Sequence, residues 1–128
     1  YGSTEYALLA RLALARNHVD NSDFAAAVAE LQQVVGNAGQ EPLAYVARTR
    51  LAAVQIQLEQ YDQALTTLEA DFPAEFLARV DELRGDALSG QGKADDAIAA
   101  YRKAQGASPG PANPDFLRQK LNDLGSSS

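Results

Sequence analysis

The 128-residue chain contains no cysteine, no methionine and no tryptophan, and only one histidine. Lack of cysteine excludes a disulfide framework and a thiolate metal site. Lack of methionine marks the chain as a piece of something longer. Tyr1-Gly2-Ser3 and Ser126-Ser127-Ser128 then read as disordered or expression-derived ends. Runs of β-branched residues are missing, which leaves no segment patterned as a strand. No apolar run approaches the roughly 18 residues that a membrane-spanning helix needs. Positive charge is scarce: 11 lysines and arginines face 17 acidic residues, a net charge of -6. Nucleic acid demands a basic face, so it is not an expected partner. The acidic balance serves solubility.

Motifs for chemistry are also missing. There is no metal-ligand spacing, phosphate loop or nucleophile motif. His18 has no nucleophile beside it and falls where a packing residue is wanted. Asp81-Glu82 and Asp95-Asp96 stand near helix starts, where the dipole favours carboxylates. Adjacent residues on a helix point in different directions and cannot converge as an acid/base pair. Gly90-Gln91-Gly92 follows no strand, so it is a helix-helix turn and not a phosphate cradle. No catalytic residue, metal or cofactor is expected, and the chain does not read as an enzyme.

What is present is alanine and leucine at helical spacing. The stretch VDELRGDALSGQGKADDAIAAYRKAQGASP (80–109) carries two helical patterns about a polar turn, Gly90-Gln91-Gly92-Lys93. Gly85 precedes Ala97 by twelve positions, and Tyr101 follows four later. A glycine inside a helix costs roughly 1 kcal/mol against alanine, so close packing must offset that cost. Helices approach to about 8–10 Å where the crossing side chains are small. The same spacing occurs at Ala15/Ala27/Leu31 and at Ala52/Ala64/Leu68. Ala15, Ala52 and Gly85 stand 37 and 33 positions apart.

The pattern predicts seven helices. The first covers about 4–20, with Thr4 as N-cap, and is apolar on most of its circumference, as a helix buried on more than one side would be. The second covers about 24–35, with Gly36-Asn37 as its stop. The third runs from Pro42 to about Glu59. Tyr61 then packs into an inter-helix angle, and a short fourth helix (about 62–70) ends at Asp71-Phe72-Pro73. The fifth and sixth cover about 74–90 and 94–106. A last helix starts at Asn113-Pro114, with Phe116, Leu117, Leu121 and Leu124 on its apolar face.

Recurring helical hairpins with small residues at fixed offsets and a period of about 34 are the signature of the tetratricopeptide repeat. The expected fold is therefore all-α: a right-handed superhelix of three helix-turn-helix repeats (about 4–36, 42–71 and 74–107) plus a C-terminal capping helix, 114–124. The capping helix covers the apolar flank of the final repeat. Together these form one domain, 4–125.

The segments RLAAVQIQLEQYDQALTTLE (50–69), VDELRGDAL (80–88) and VDNSDFAAAVAELQQVV resemble the periplasmic domain of the YfgM family. The resemblance covers about residues 5–124. It implies the periplasmic part of a single-pass bacterial inner-membrane protein, attached to the membrane through an N-terminal transmembrane helix outside this sequence. It also implies association with the SecYEG translocon, with a PpiD-like periplasmic chaperone and with client segments. The chain departs from the repeat pattern at the fourth position, where Arg11, Arg48 and Asp81 replace a large aromatic.

Carrying over the groove positions of the repeat gives the expected partner-binding residues. They are Leu9, Leu12, Arg16 and Val19 in unit one, and Val46, Thr49, Ala53, Ile56 and Gln57 in unit two. Unit three supplies Arg79, Glu82, Asp86 and Ser89. The groove would be apolar at one end and charged at the other, suited to an extended or helical segment of a partner. The alternative is a self-associating structural domain of another bacterial envelope complex, a homodimer formed through the apolar first helix.

Overall fold

The computed structural model describes residues 4–39 and 41–125. The expectations for residues 1–3, Gln40 and 126–128 lie outside the described residues. Seven α-helices follow in order: α1 (Glu5–Asp20), α2 (Phe24–Ala38), α3 (Pro42–Gln57), α4 (Tyr61–Thr67), α5 (Leu77–Gly90), α6 (Ala94–Gly106) and α7 (Pro114–Asp123). A single 3-10 turn, Ala74–Phe76, leads into α5.

Each hairpin packs as the spacing predicts. Ala15, Ala27, Leu31, Ala52, Ala64, Leu68, Gly85, Ala97 and Tyr101 are all buried. The first helices lie side by side, α3 touching both α1 and α5, while α2, α4 and α6 form the second layer. Three apolar clusters run along the stack. The first joins α1, α2 and α3 through Leu8, Leu12, Leu31, Val34 and Leu51. The second joins α3, α4 and α5 through Ala52, Leu68, Phe72 and Leu83. The third seats α7 on α6 through Tyr101, Ala104, Leu117 and Leu121.

The three turns share one geometry. Ser22, Glu59 and Gly92 occupy the left-handed region with φ of 60°, 60° and 79°. In each turn the next N–H reaches back to a carbonyl five residues earlier: Asp23 to His18 (2.7 Å), Gln60 to Gln55 (2.8 Å) and Lys93 to Leu88 (2.9 Å). This is the Schellman closure that satisfies the last helical carbonyls. Only the third turn uses glycine at the left-handed position, which is why the other two carry no sequence signal for it.

Several boundaries differ from the pattern. Helix α2 runs through Gly36 and Asn37, and its stop is Gly39 at φ 62°. Ala38 is buried, and holding it there keeps the last turn helical. Helices α3 and α4 end at Gln57 and Thr67, before Glu59 and Ala70. The first helix is covered on one side only. Leu8, Leu12 and Ala15 are buried, while Tyr6, Leu9, Leu14 and Val19 are exposed, because among the described residues α1 packs chiefly on α2 and, less, on α3. Phe116 is half exposed and stands beside the Lys120 ammonium, 4.6 Å from its ring centroid.

The close approach at Gly85 is to an aromatic ring. A Cβ there would stand 2.9 Å from Cζ of Tyr101 and nearer still to two other ring atoms. Tyr61 lies in the same way against Gly90, in the angle between hairpins where it was expected.

Candidate functional site

Two of the three fourth-position residues that break the aromatic pattern tie their hairpins together. Arg11 Nη1 bonds Glu30 Oε1 at 3.1 Å, and Arg48 Nη1 donates to the Thr67 carbonyl at 3.3 Å. Both partners lie 19 positions on. In the third hairpin that place is Ala100, and Asp81 turns instead to Arg84 on its own helix, at 2.7 Å.

The expected binding residues divide into two unequal groups. At the α5 end the polar groups are already engaged. Lys120 on α7 places Nζ 2.7 Å from Glu82 Oε2 and 3.0 Å from Asp86 Oδ1. The Tyr101 hydroxyl donates to Asp86 Oδ1 at 2.6 Å. Glu82 is buried and Asp86 half-buried. Burial first, then the Asp86 hydrogen bond and the negative charge of Asp86 and Glu82, push the Tyr101 hydroxyl well above its ordinary pKa of 10.0. Arg79 stays exposed, 3.8 Å from Glu82, and Ser89 is half-buried. This end is a closed internal network.

At the α1–α3 end the face is open. Leu9, Arg16 and Val19 on α1 are exposed, as is Gln57 on α3. Val46, Thr49, Ala53 and Ile56 are half-buried. Leu12 belongs to the core at 6% exposure, so at most it forms the floor. A cleft of about 250 Å³ lies here, lined by Arg16, Val19, Arg50, Ala53 and Val54. Arg50 was not among the expected residues, because it stands off the inherited groove positions. Its signal would have been its place next to Thr49.

Among the described residues no group of three or more His, Cys, Asp or Glu side chains could hold a metal ion. His18 Nδ1 lies 3.9 Å from Asp23 Oδ2 at the first turn. No helix among the described residues is long and apolar enough to cross a membrane.

Residues 1–126 match the tetratricopeptide repeat-like domain. The chain belongs to the tetratricopeptide repeat-like family. Its curated relatives include the protein named ancillary SecYEG translocon subunit from Escherichia coli, 37% identical over 119 residues, which are 93% of this chain and 58% of that protein. The protein of that name from Haemophilus influenzae is 36% identical over 121 residues, 94% of this chain and 59% of its own length. The one from Neisseria gonorrhoeae is 29% identical over 116 residues, 90% of this chain and 56% of its length. This chain thus spans less than two thirds of these relatives. Among solved structures, the MamA RS-1 ArsTM double mutant superposes with a TM-score of 0.68 over 95% of this chain and 70% of that one, at 24% identity. That likeness concerns the repeat fold alone. Along the first helices, Glu82 and Asp86 on α5 are bridged by Lys120, while Arg16 and Val19 on α1 are exposed and line the cleft.

Proposed function

We propose that this repeat domain is a non-enzymatic protein-interaction module, the periplasmic part of a YfgM-like single-pass inner-membrane protein. It works beside the SecYEG translocon, docking a PpiD-like chaperone or an emerging client segment on the first-helix wall. The observation that supports this most is the run of similarity to proteins named ancillary SecYEG translocon subunit, which extends over 93% of the chain in the Escherichia coli case. The open α1–α3 wall supplies a surface for docking. The whole protein, carrying a photo-crosslinking residue at Thr49 or Gln57, tests the reading in cells. Adducts with the translocon or with the chaperone are expected from both positions. Recovery of neither overturns the assignment of partners.

One observation favours a second reading. Tyr6, Leu9 and Leu14 leave a large apolar area of α1 uncovered, with Tyr6 83% exposed, and such areas mark interfaces. In that reading the chain pairs with a second copy through α1 and serves assembly. Light scattering at micromolar concentration separates the two: a stable dimer lost on Leu9→Glu favours self-association, and a monomer favours an open wall.

A further inference from the structure

We infer that the groove between α2 and α4, on the side of the second helices, binds a primary carboxamide, the side chain of a partner protein's asparagine or glutamine. The inference does not depend on the first-helix wall.

The groove is floored by a buried polar side chain. Helices α2 and α4 both pack on α3, and Gln55 of α3 is only 5% exposed. The matching place in the third hairpin is Leu88, since the turn closures join Gln60 to Gln55 and Lys93 to Leu88. Leu88 packs on an apolar cluster. A leucine at position 55 would serve packing without the cost of desolvating an amide. One end of that amide is used. Thr67 Oγ1 donates to Gln55 Oε1 at 2.7 Å, with the Gln63 carbonyl also within reach of its hydroxyl at 2.9 Å. The other end, Nε2, makes no hydrogen bond among the described residues. Turning the amide round would only exchange which end is left over. A buried side chain with an unused polar end is uncommon in folded proteins and calls for a reason.

Gln55 lines a cleft of about 340 Å³, together with Thr67 and with a rim of Gln32, Asp62, Gln63 and Thr66. Every lining side chain is polar. The Thr66 hydroxyl donates to the Asp62 carbonyl at 3.1 Å, so toward a ligand its oxygen can only accept. The Asp62 carboxylate is likewise an acceptor, and already takes the Gln91 amide. The floor thus wants an acceptor and the rim wants donors. A primary carboxamide carries one carbonyl and two N–H groups, and it answers the reversed setting of Gln55 equally. A backbone amide has one N–H where the rim has two acceptors. A carboxylate brings no donor to the rim and meets Asp62 as a like charge. An ammonium brings no acceptor to the Gln55 amide nitrogen.

The test titrates the whole chain with N-acetyl-glutamine N-methylamide. NMR follows the side-chain amide of Gln55 and the backbone amides of Thr66 and Thr67. Saturable shifts confined to the cleft are expected, at millimolar probe. Gln55→Met keeps the length of the side chain and should weaken binding about tenfold or more. Thr66→Val, on the exposed rim, should weaken it about threefold or more, each through a lost hydrogen bond. Unchanged amide resonances in α1 and α7 verify that both variants fold. The matching glutamate and lysine probes, and glycerol, should leave the cleft resonances in place. Equal shifts with any of these three would overturn the selection of a carboxamide. An unsaturable response, or full affinity in both variants, would overturn the site. Free glutamine binding more tightly than the capped probe would make the ligand a small molecule and overturn the partner assignment. None of these outcomes touches the first-helix wall, so the proposed function stands or falls separately.

Discussion

Three glycines show how one substitution takes different signs according to what surrounds the backbone. Gly36 lies inside α2 with open space where a Cβ would go. Gly36→Ala should stabilise by up to about 1 kcal/mol through helix propensity. Gly92 sits at φ 79°, where an L side chain crowds the following carbonyl. Gly92→Ala should cost about 1–2 kcal/mol. Gly85 gains the same propensity term as Gly36, but its Cβ would meet the Tyr101 ring. That ring cannot swing aside freely, because its hydroxyl is anchored to Asp86 at 2.6 Å and the residue is buried. Overpacking of this kind costs about 1–3 kcal/mol, so Gly85→Ala should be destabilising on balance. Urea midpoints of the three variants check the order. If Gly85→Ala matched Gly36→Ala, the ring would not be packed on that backbone.

At the scale of elements, α7 is held by more than its apolar face. Leu117 and Leu121 seat it on α6, while Lys120 reaches past them to α5. The three side chains of the bridge are between 10% and 22% exposed, so solvent screens them weakly. Lys120→Met keeps the aliphatic stem and removes the charge, leaving Glu82 and Asp86 uncompensated. A loss of about 3 kcal/mol is expected, partly recovered by adding Asp86→Asn. An unchanged urea midpoint for Lys120→Met would mean that the bridge holds nothing. Lys120 also shows where reading the sequence runs out. The small-residue register at Ala15, Ala52 and Gly85 located every hairpin, because a missing side chain at a helix contact leaves a periodic trace. A lysine on a polar helix face leaves none. The one available clue was that Lys120 follows Asp86 by 34 positions, one repeat length, so the capping helix continues the register. Without that step Glu82 and Asp86 read as free groove charges, when they are internal partners. The left-handed conformation of Ser22 and Glu59, though not the turns themselves, left no trace for a related reason. Their left-handed residues are imposed by Schellman closure and not by glycine. Arg16 and Val19 were legible from register alone, whereas Arg50 entered the cleft from a position the register does not mark.

The whole molecule is a row of three clusters, each touching mainly its neighbours, and this sets how disturbance spreads. In such arrays stability is close to a sum of unit terms and nearest-neighbour interfaces. Leu117 is fully buried between α7 and α6, and the α1–α2–α3 cluster shares no residue with that site. Leu117→Ala should cost about 2–5 kcal/mol locally and loosen α7. Lys120 would then lose its geometry over Glu82 and Asp86, and α5 and α6 would open more often. Amide hydrogen exchange reads this residue by residue. Exchange should rise in α6, α7 and the second half of α5, while the amides of α1 and α2 keep their protection. The α1–α3 wall would survive the damage, so a partner docked there, as the proposed function has it, should keep its affinity in Leu117→Ala. A uniform loss of protection across all seven helices would show instead one cooperative core, and the docking wall could not then be treated as independent of the cap.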